Sequence, residues 1–495
     1  MQATTPRSAT NPAPLFGLPA LLVTLALAGA GCAAPADTAS PVGEYGAEGV
    51  GYGNPDHAAH VAMIDEIMIA PVREGRIAGG SVAVVHRGEP VATRGYGWAN
   101  LELRVPTPEN AIYETGSVTK QFTSAGLLQM QEQGLVDLDA DMSAYLPDFP
   151  TQGNRITVRE LLDHTSGIRG YTEMEEARPY FVRRVARDSL LALVAAHPFD
   201  FPTGEAEIYN NSAFYLAGMI LEDVSGMSYE DYVEERIFAP LGMDQSHYCS
   251  ETEIHEGKVT GYDTGDDGLE HKGFIVHNIP FAAGSLCASA GDLATWLGAL
   301  HGGEVLTDES YAQLIEPGDL NDGTKLRYAL GIAVSDILGH RAIHHGGGIN
   351  GFLTESLYLP DEELAIAVLV NTAGPVGPSG LARQIIEAMI GDATPEPLAF
   401  EGDLAYFEGT YGGPARGGQA AVRIAADGDV LTATTVMQGD QEIPEERQQA
   451  TNLDFRGGMT FTMGSAVLTF EGEGDAASVL RYDVGSGYTR MQRRY

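Results

Sequence analysis

The sequence predicts an α+β protein: an antiparallel sheet flanked by helices, with a mainly helical subdomain, followed by a small all-β domain. Three observations carry this. Strand-like runs occur near both ends of the stretch up to Met389, and helical periodicities fill its middle. After a break rich in Gly and Pro, the chain turns to short alternating runs with Gly-rich turns. At 495 residues it exceeds what one core usually holds, so one large and one smaller domain are expected.

The elements follow in order. Residues 1–32 have the pattern of an export signal: Arg7, then an apolar run from Leu15 to Leu27 interrupted by Pro19, then small residues. The run is short for a spanning helix. Gly29-Ala30-Gly31-Cys32 resembles a bacterial lipoprotein cleavage box without its usual larger apolar residue, so Cys32 is a candidate lipidation site and membrane anchor. A soluble secreted enzyme is the alternative, and either way the chain is expected to be exported. Residues 33–55, rich in Ala, Gly, Pro and Ser, read as a flexible linker.

Residues 56–392 form the expected main domain. Val61, Ile64 and Met68 predict a helix from about Ala58. Ser81 to Val85 and the run from Val91 predict two strands around the turn Arg87-Gly88-Glu89. Val118, Phe122, Ala125 and Leu128 give the segment Ser117 to Gln133 one apolar face, and Gly134 ends it. Further helices are expected over Phe181 to Ala196, Ser212 to Val224, Tyr229 to Phe238, Ala290 to Leu300 and Leu381 to Met389. Leu357 to Leu359 and Leu364 to Val370 predict strands around Pro360-Asp361. Residues 398–495 predict a small antiparallel barrel or sandwich, with Asp427-Gly428 as its strongest hairpin signal.

The formal charge of -39 gives a solvated surface that disfavours nucleic acid and anionic membrane as partners. There are three cysteines. Cys249 and Cys287 could pair in an oxidising compartment, but two buried free thiols are the expectation. No Cys–His cluster has metal-ligand spacing, so neither a metal nor an organic cofactor is expected.

Chemistry concentrates in three segments. Ser117 and Lys120 stand at i and i+3 at the start of a helix and share a face. A desolvated lysine loses its proton more easily and can then take one from the serine. Ser117 in the first turn also offers its own N–H to a developing oxyanion. Tyr209-Asn210-Asn211 precedes an apolar helix: Tyr209 can relay a proton, and Asn211 can orient Lys120 or hold a substrate amide. In His345-Gly346-Gly347-Gly348, glycines permit close approach, and an N–H of this stretch can be the second oxyanion donor. His345 can help hold the tyrosine's proton or contact the acyl group. His344 has nearly equal claim on chemistry, but in a strand the two side chains point to opposite faces.

These segments together resemble the serine β-lactamase and penicillin-binding-protein superfamily, in its class C β-lactamase, D-stereospecific peptidase and family VIII esterase-like branch. Ser117-Val118-Thr119-Lys120 matches the nucleophile motif. Tyr209-Asn210-Asn211 matches the second motif, and His345-Gly346-Gly347 the third. Leu161 to Ile168 resembles a structural signature of the branch, as does Ala283-Gly284-Ser285 leading into Ala288 to Leu293. Gly409-Thr410-Tyr411 resembles the opening of a β-barrel appendage.

The resemblance implies Ser117 as the acylated nucleophile, Lys120 and Tyr209 as base and acid, and the N–H groups of Ser117 and Gly348 as the oxyanion hole. Asn211 would hold Lys120 and the substrate, with Gly346 and Gly347 lining the substrate site. Ser285, where relatives often have glycine, is expected to line it too, narrowing the cleft or adding a polar contact, or else to be silent. His164 to Gly167 would be architectural. His345 replaces a lysine that often reads a substrate carboxylate, which favours esterase activity. The leading expectation is thus an esterase acting on a small-molecule ester. A D-amino-acid peptidase or amidase, a class C-like β-lactamase, and a non-catalytic binding protein of the same fold are the alternatives.

Overall fold

The computed structural model describes residues 49–494 apart from Ser486. The expected export signal, Cys32 and most of the linker lie outside the described residues. Among the described residues, no helix is long and apolar enough to cross a membrane.

The main sheet is antiparallel. Its strands run in the order Val50–Gly53, Glu89–Asn100, Gly79–His86, Leu364–Val370, Phe352–Leu359, His340–Ile349, Ala333–Ile337. Leu364–Val370 lies mid-sheet and is buried at every position, because both faces are covered. One face packs on the helices Ala58–Arg73 and Pro378–Ile390 through Val61, Ile64, Met68, Leu381 and Ile385. On the other face Ala83, Ala367 and Leu369 join a larger core with Phe122, Leu293 and Trp296.

The Ser117 segment begins as a 3₁₀ turn, Gly116–Val118, and continues as the α-helix Thr119–Glu132. Its pattern is amphipathic, yet it is buried nearly all round. Several of its polar side chains are tied to neighbouring elements. Gln121 accepts from the Trp296 indole at 2.8 Å, and Thr123 lies 2.7 Å from the Ala282 carbonyl and 2.8 Å from the Tyr229 hydroxyl. The helix is therefore pinned on several sides, which suits a platform for a reactive residue.

The single helix expected over Phe181 to Ala196 is two pieces, Arg178–Phe181 and Arg187–Ala195. The Phe181 carbonyl accepts the Val276 N–H at 2.8 Å instead of continuing a helix. Ala186 stands in extended conformation just before the second piece.

Cys249 and Cys287 form a disulfide, not two free thiols. The antiparallel pair His247–Tyr248 and Leu286–Ser289, extended by the Cys249 N–H on the Ser285 carbonyl at 2.8 Å, sets their Cα atoms 5.2 Å apart. Sequence spacing alone could not show that register. With the cysteines 38 positions apart in sequence, loop-closure entropy assigns the bridge about 4 kcal/mol. The double variant Cys249→Ser/Cys287→Ser should lose about that much in denaturant titration. An unchanged midpoint would remove the bridge from the account of stability.

The C-terminal strands, from Gly409–Ala415 to Gly487–Arg494, form an up-and-down meander that closes when the first pairs with the last. Tyr411, Val422, Ile424, Leu431, Phe461, Leu468, Phe470, Leu480 and Met491 fill the barrel. Gly428, with φ of +63°, turns the hairpin in which Asp427 faces Val430. The strand Glu207–Ile208, immediately before Tyr209, adds to the barrel's last strand, with Ile208 opposite Gly487 and Glu207 opposite Tyr488. Arg327 reinforces the junction with a two-pronged pair to Asp483, at 2.7 and 2.8 Å.

Candidate active site

The site forms where the Ser117 turn meets the third segment. Gly116 has φ of +55°, and a Cβ there would lie 2.8 Å from the Gly348 nitrogen. A Cβ on Gly347 would lie 2.0 Å from the Thr115 carbonyl oxygen. Neither position tolerates a side chain, and the two backbones pack directly. The neighbouring strand ends opposite His344, so from His345 onward this strand has a free edge. The Gly348 nitrogen thus lies against Gly116, the residue before Ser117, and Gly348 is exposed.

Lys120 is fully buried. Its Nζ lies 2.8 Å from the Asn211 Oδ1, 2.8 Å from the Ala283 carbonyl oxygen and 3.2 Å from the Ser117 Oγ. Two acceptors take two of its hydrogens; the third direction faces the serine. Burial holds the ammonium well below its ordinary pKa, and the Arg416 guanidinium pushes the same way while Glu173 opposes. An amine that has lost its proton would turn a lone pair to the Ser117 hydroxyl.

Tyr209 lies against Lys120, whose Nζ is 4.6 Å from the ring centroid. Its hydroxyl is buried without a close hydrogen-bond partner among the described residues. Burial raises its pKa, while the Ser117 side chain and Arg416 draw it down. The His164 ring lies behind it, tilted by 51° with centroids 4.4 Å apart, and the His164 Nδ1 accepts the Asn210 N–H at 3.2 Å. His164 thereby fixes the backbone of the second segment and packs behind the Tyr209 ring. Asn210 caps the following helix by accepting the Ala213 N–H, which leaves Asn211 as its first residue, aimed at Lys120.

His345 is buried, and its Nε2 contacts the Tyr328 hydroxyl at 2.8 Å. Its Nδ1 donates to the Gly346 carbonyl at 2.5 Å. Burial lowers its pKa to about 3, with Lys120 adding to the effect. It therefore braces the wall behind Tyr209 as a neutral ring. Ser285, expected to line the substrate site, is fully buried and donates to the His277 carbonyl at 2.6 Å. Its hydroxyl is committed to the fold, so it adds no contact to the cleft.

Two residues escaped the sequence reading. The barrel's first hairpin places Arg416 at the rim of the site. The guanidinium carbon stands 5.1 Å from the Tyr209 ring centroid, and Nε lies 2.5 Å from the Glu173 Oε1. Glu173 also accepts from the Thr172 hydroxyl at 2.8 Å, and that hydroxyl accepts from the Asn211 Nδ2 at 3.1 Å. A polar chain thus runs from Lys120 through Asn211, Thr172 and Glu173 to the barrel. No local pattern around Arg416 signals this; only the tertiary docking of the hairpin does.

The sequence matches the family described as Beta-lactamase over residues 63–389. The chain belongs to that family. It is 28% identical over 421 residues to a D-aminopeptidase of Gluconobacter oxydans, covering 83% of this chain and 77% of the relative. It is 30% identical over 339 residues to a D-aminopeptidase of Brucella anthropi, covering 66% of this chain and 62% of the relative. The fold matches an octameric penicillin-binding protein homologue from Pyrococcus abyssi with a TM-score of 0.60 at 23% identity, over 88% of this chain and 99% of that one. A D-stereospecific amidohydrolase from Streptomyces sp. matches with a TM-score of 0.57 at 26% identity, over 68% of this chain and 99% of that one. The chain is an enzyme of the serine-hydrolase class that this family represents. The relatives favour the D-amino-acid alternative over the esterase that led the sequence reading.

Proposed function

We propose that this enzyme cleaves amide or ester bonds on the carbonyl side of a small D-amino-acid residue, through an acyl-enzyme on Ser117. The observation that carries the mechanism is Lys120: buried, held by two acceptors, with its remaining direction on the Ser117 Oγ. The Ser117 proton passes to the Lys120 Nζ as Oγ attacks the carbonyl. The oxyanion sits between the N–H groups of Ser117 and Gly348. Tyr209 delivers a proton to the leaving amine, and water then releases the acyl group by the reverse route.

The D-aminopeptidase relatives support the substrate class. The charged rim supports it too. The position of His345 supplies no cation, which alone would favour neutral esters, but Arg416 brings one to the same mouth from the barrel. Beside it Glu173 offers an anion, so an ammonium and a carboxylate each have a partner there.

Turnover of D- and L-amino-acid p-nitroanilides, set beside p-nitrophenyl acetate, tests this reading. A D-over-L preference in kcat/KM of about 10–200-fold is expected, the range that one or two misplaced contacts produce. Cleavage of the ester with no D-anilide turnover would return the esterase reading to first place.

Arg416 also gives a pH prediction. Its charge lowers the Lys120 pKa, and Glu173 raises it. In Arg416→Ala the lowering charge is gone and Glu173 is left unpaired, so Lys120 becomes more basic. The active, deprotonated amine then needs a higher pH, and the acidic limb of kcat/KM should move upward. A limb at the same pH in both proteins would disconnect Arg416 from Lys120.

A further inference from the structure

The histidine beside His345 has chemistry of its own. Strand alternation turns His345 toward Tyr328 and Tyr209 and His344 to the other face of the sheet, the one covered by the helices Ala58–Arg73 and Pro378–Ile390. There the His344 Nε2 lies 2.9 Å from the Ser335 Oγ, and its Nδ1 lies 3.0 Å from the Glu355 Oε1. The other Glu355 oxygen accepts from the Ser379 hydroxyl, at the start of the covering helix.

The register explains the alignment. Ser335 is opposite Ala342, and His344 is two residues further on the same face. His344 is opposite Leu357, while Glu355 is opposite Gly346, again one diagonal step away. Three neighbouring strands therefore contribute one side chain each to a straight relay. Gly346 leaves space beside it: a Cβ there would be 3.5 Å from the Glu355 Oε2.

We propose that Ser335, His344 and Glu355 form a second nucleophilic site, separate from Ser117, that accepts acyl groups from small neutral activated esters. The geometry is that of an activated serine: hydroxyl within reach of a ring nitrogen, and that ring oriented by a carboxylate. With Nδ1–H donated to Glu355, Nε2 is left to accept the Ser335 proton. Glu355 is nearly closed to solvent (side chain 3% exposed), whereas His344 is partly open to it (22%), and Ser335 is half-buried on the edge strand of the sheet. A reactive end that is accessible and a carboxylate that is enclosed suit transfer to a molecule arriving from outside.

An oxyanion donor is available by alternation. The Val334 N–H points away from the sheet to the Arg327 carbonyl at 2.7 Å. Two residues on, the Asp336 N–H points to the same outer side, immediately after Ser335. In the step itself, an Oγ–C bond forms and the bond from the acyl carbon to the leaving oxygen breaks. The proton moves from Oγ to Nε2 and then to that leaving oxygen. The acidic surface, with Asp336 adjacent, disfavours anionic esters, hence the neutral class.

The test uses the full-length Ser117→Ala protein and a fluorophosphonate probe, in which an Oγ–P bond forms and fluoride leaves. Adduct position and rate are read by peptide mass spectrometry, with an unrelated serine hydrolase as the labelling control. The expected result is an adduct on Ser335. It should vanish in the further variant Ser335→Ala and form about 100-fold more slowly in His344→Gln, the scale of a lost general base. Glu355→Gln keeps the side chain's shape and should slow labelling too; it serves if His344→Gln does not fold by circular dichroism. No Ser335 adduct while the control is labelled, or an adduct whose rate ignores both substitutions, overturns the proposal. Neither outcome depends on what Ser117 does.

Discussion

Ser117→Ala is expected to remove the covalent intermediate and lower kcat/KM on a good substrate by at least about 10⁴-fold. The remaining groups would still bind and polarise a carbonyl through the N–H groups of Ser117 and Gly348. Those groups stabilise charge, but they cannot supply the attacking atom. The fold should survive, because Ser117 is half-buried and its hydroxyl is only the longest of the three Lys120 contacts. Intact-mass measurement with a substrate that acylates quickly and deacylates slowly separates the cases. The parent should gain the acyl mass on Ser117, and the variant should gain none there. Parent-like turnover by a correctly folded Ser117→Ala protein would end the acyl-enzyme account.

Lys120→Ala should slow acylation by about 10²–10⁴-fold, the usual contribution of a positioned base. Its consequences spread further than those of the serine. The Asn211 Oδ1 and the Ala283 carbonyl would each lose a buried donor, at about 1–3 kcal/mol per orphaned group. The variant should therefore be both slower and less stable. Lys120→Arg restores the donors and brings a fixed positive charge but not the base, since a guanidinium keeps its proton throughout the working range. It should recover little activity even if it recovers some stability. Single-turnover acylation rates beside thermal midpoints would read both effects. Substantial rescue by arginine would show that charge, not proton transfer, is what position 120 supplies.

Much of this arrangement was legible beforehand, and the reasons are local. Ser117 and Lys120 share a face because helical spacing puts i and i+3 together, whatever surrounds them. His344 and His345 part company because strands alternate. That an antiparallel sheet packs on helices followed from β-like runs lying on either side of helical ones, though not the order of its strands, and the Asp427-Gly428 turn followed from its own chemistry.

What stayed hidden depends on chain segments far apart in sequence. Arg416 and Glu173 meet only because a barrel hairpin docks on the main domain. Cys249 and Cys287 join because of a strand register no spacing encodes. The break between Phe181 and Arg187 rests on a carbonyl claimed by Val276. Ser285 looked available for substrate until its hydroxyl was found on the His277 carbonyl. In each case tertiary contact overrode a sound local expectation.

The short strand Glu207–Ile208 leads directly into Tyr209 and is at the same time a stave of the C-terminal barrel. An engineer who swapped that barrel for another module would be editing the reaction centre as well as its appendage. A replacement would need a receptive edge for those two residues and a fingertip able to carry a cation to the rim. Grafting experiments across this family can thus be sorted in advance, by whether the donor module brings both.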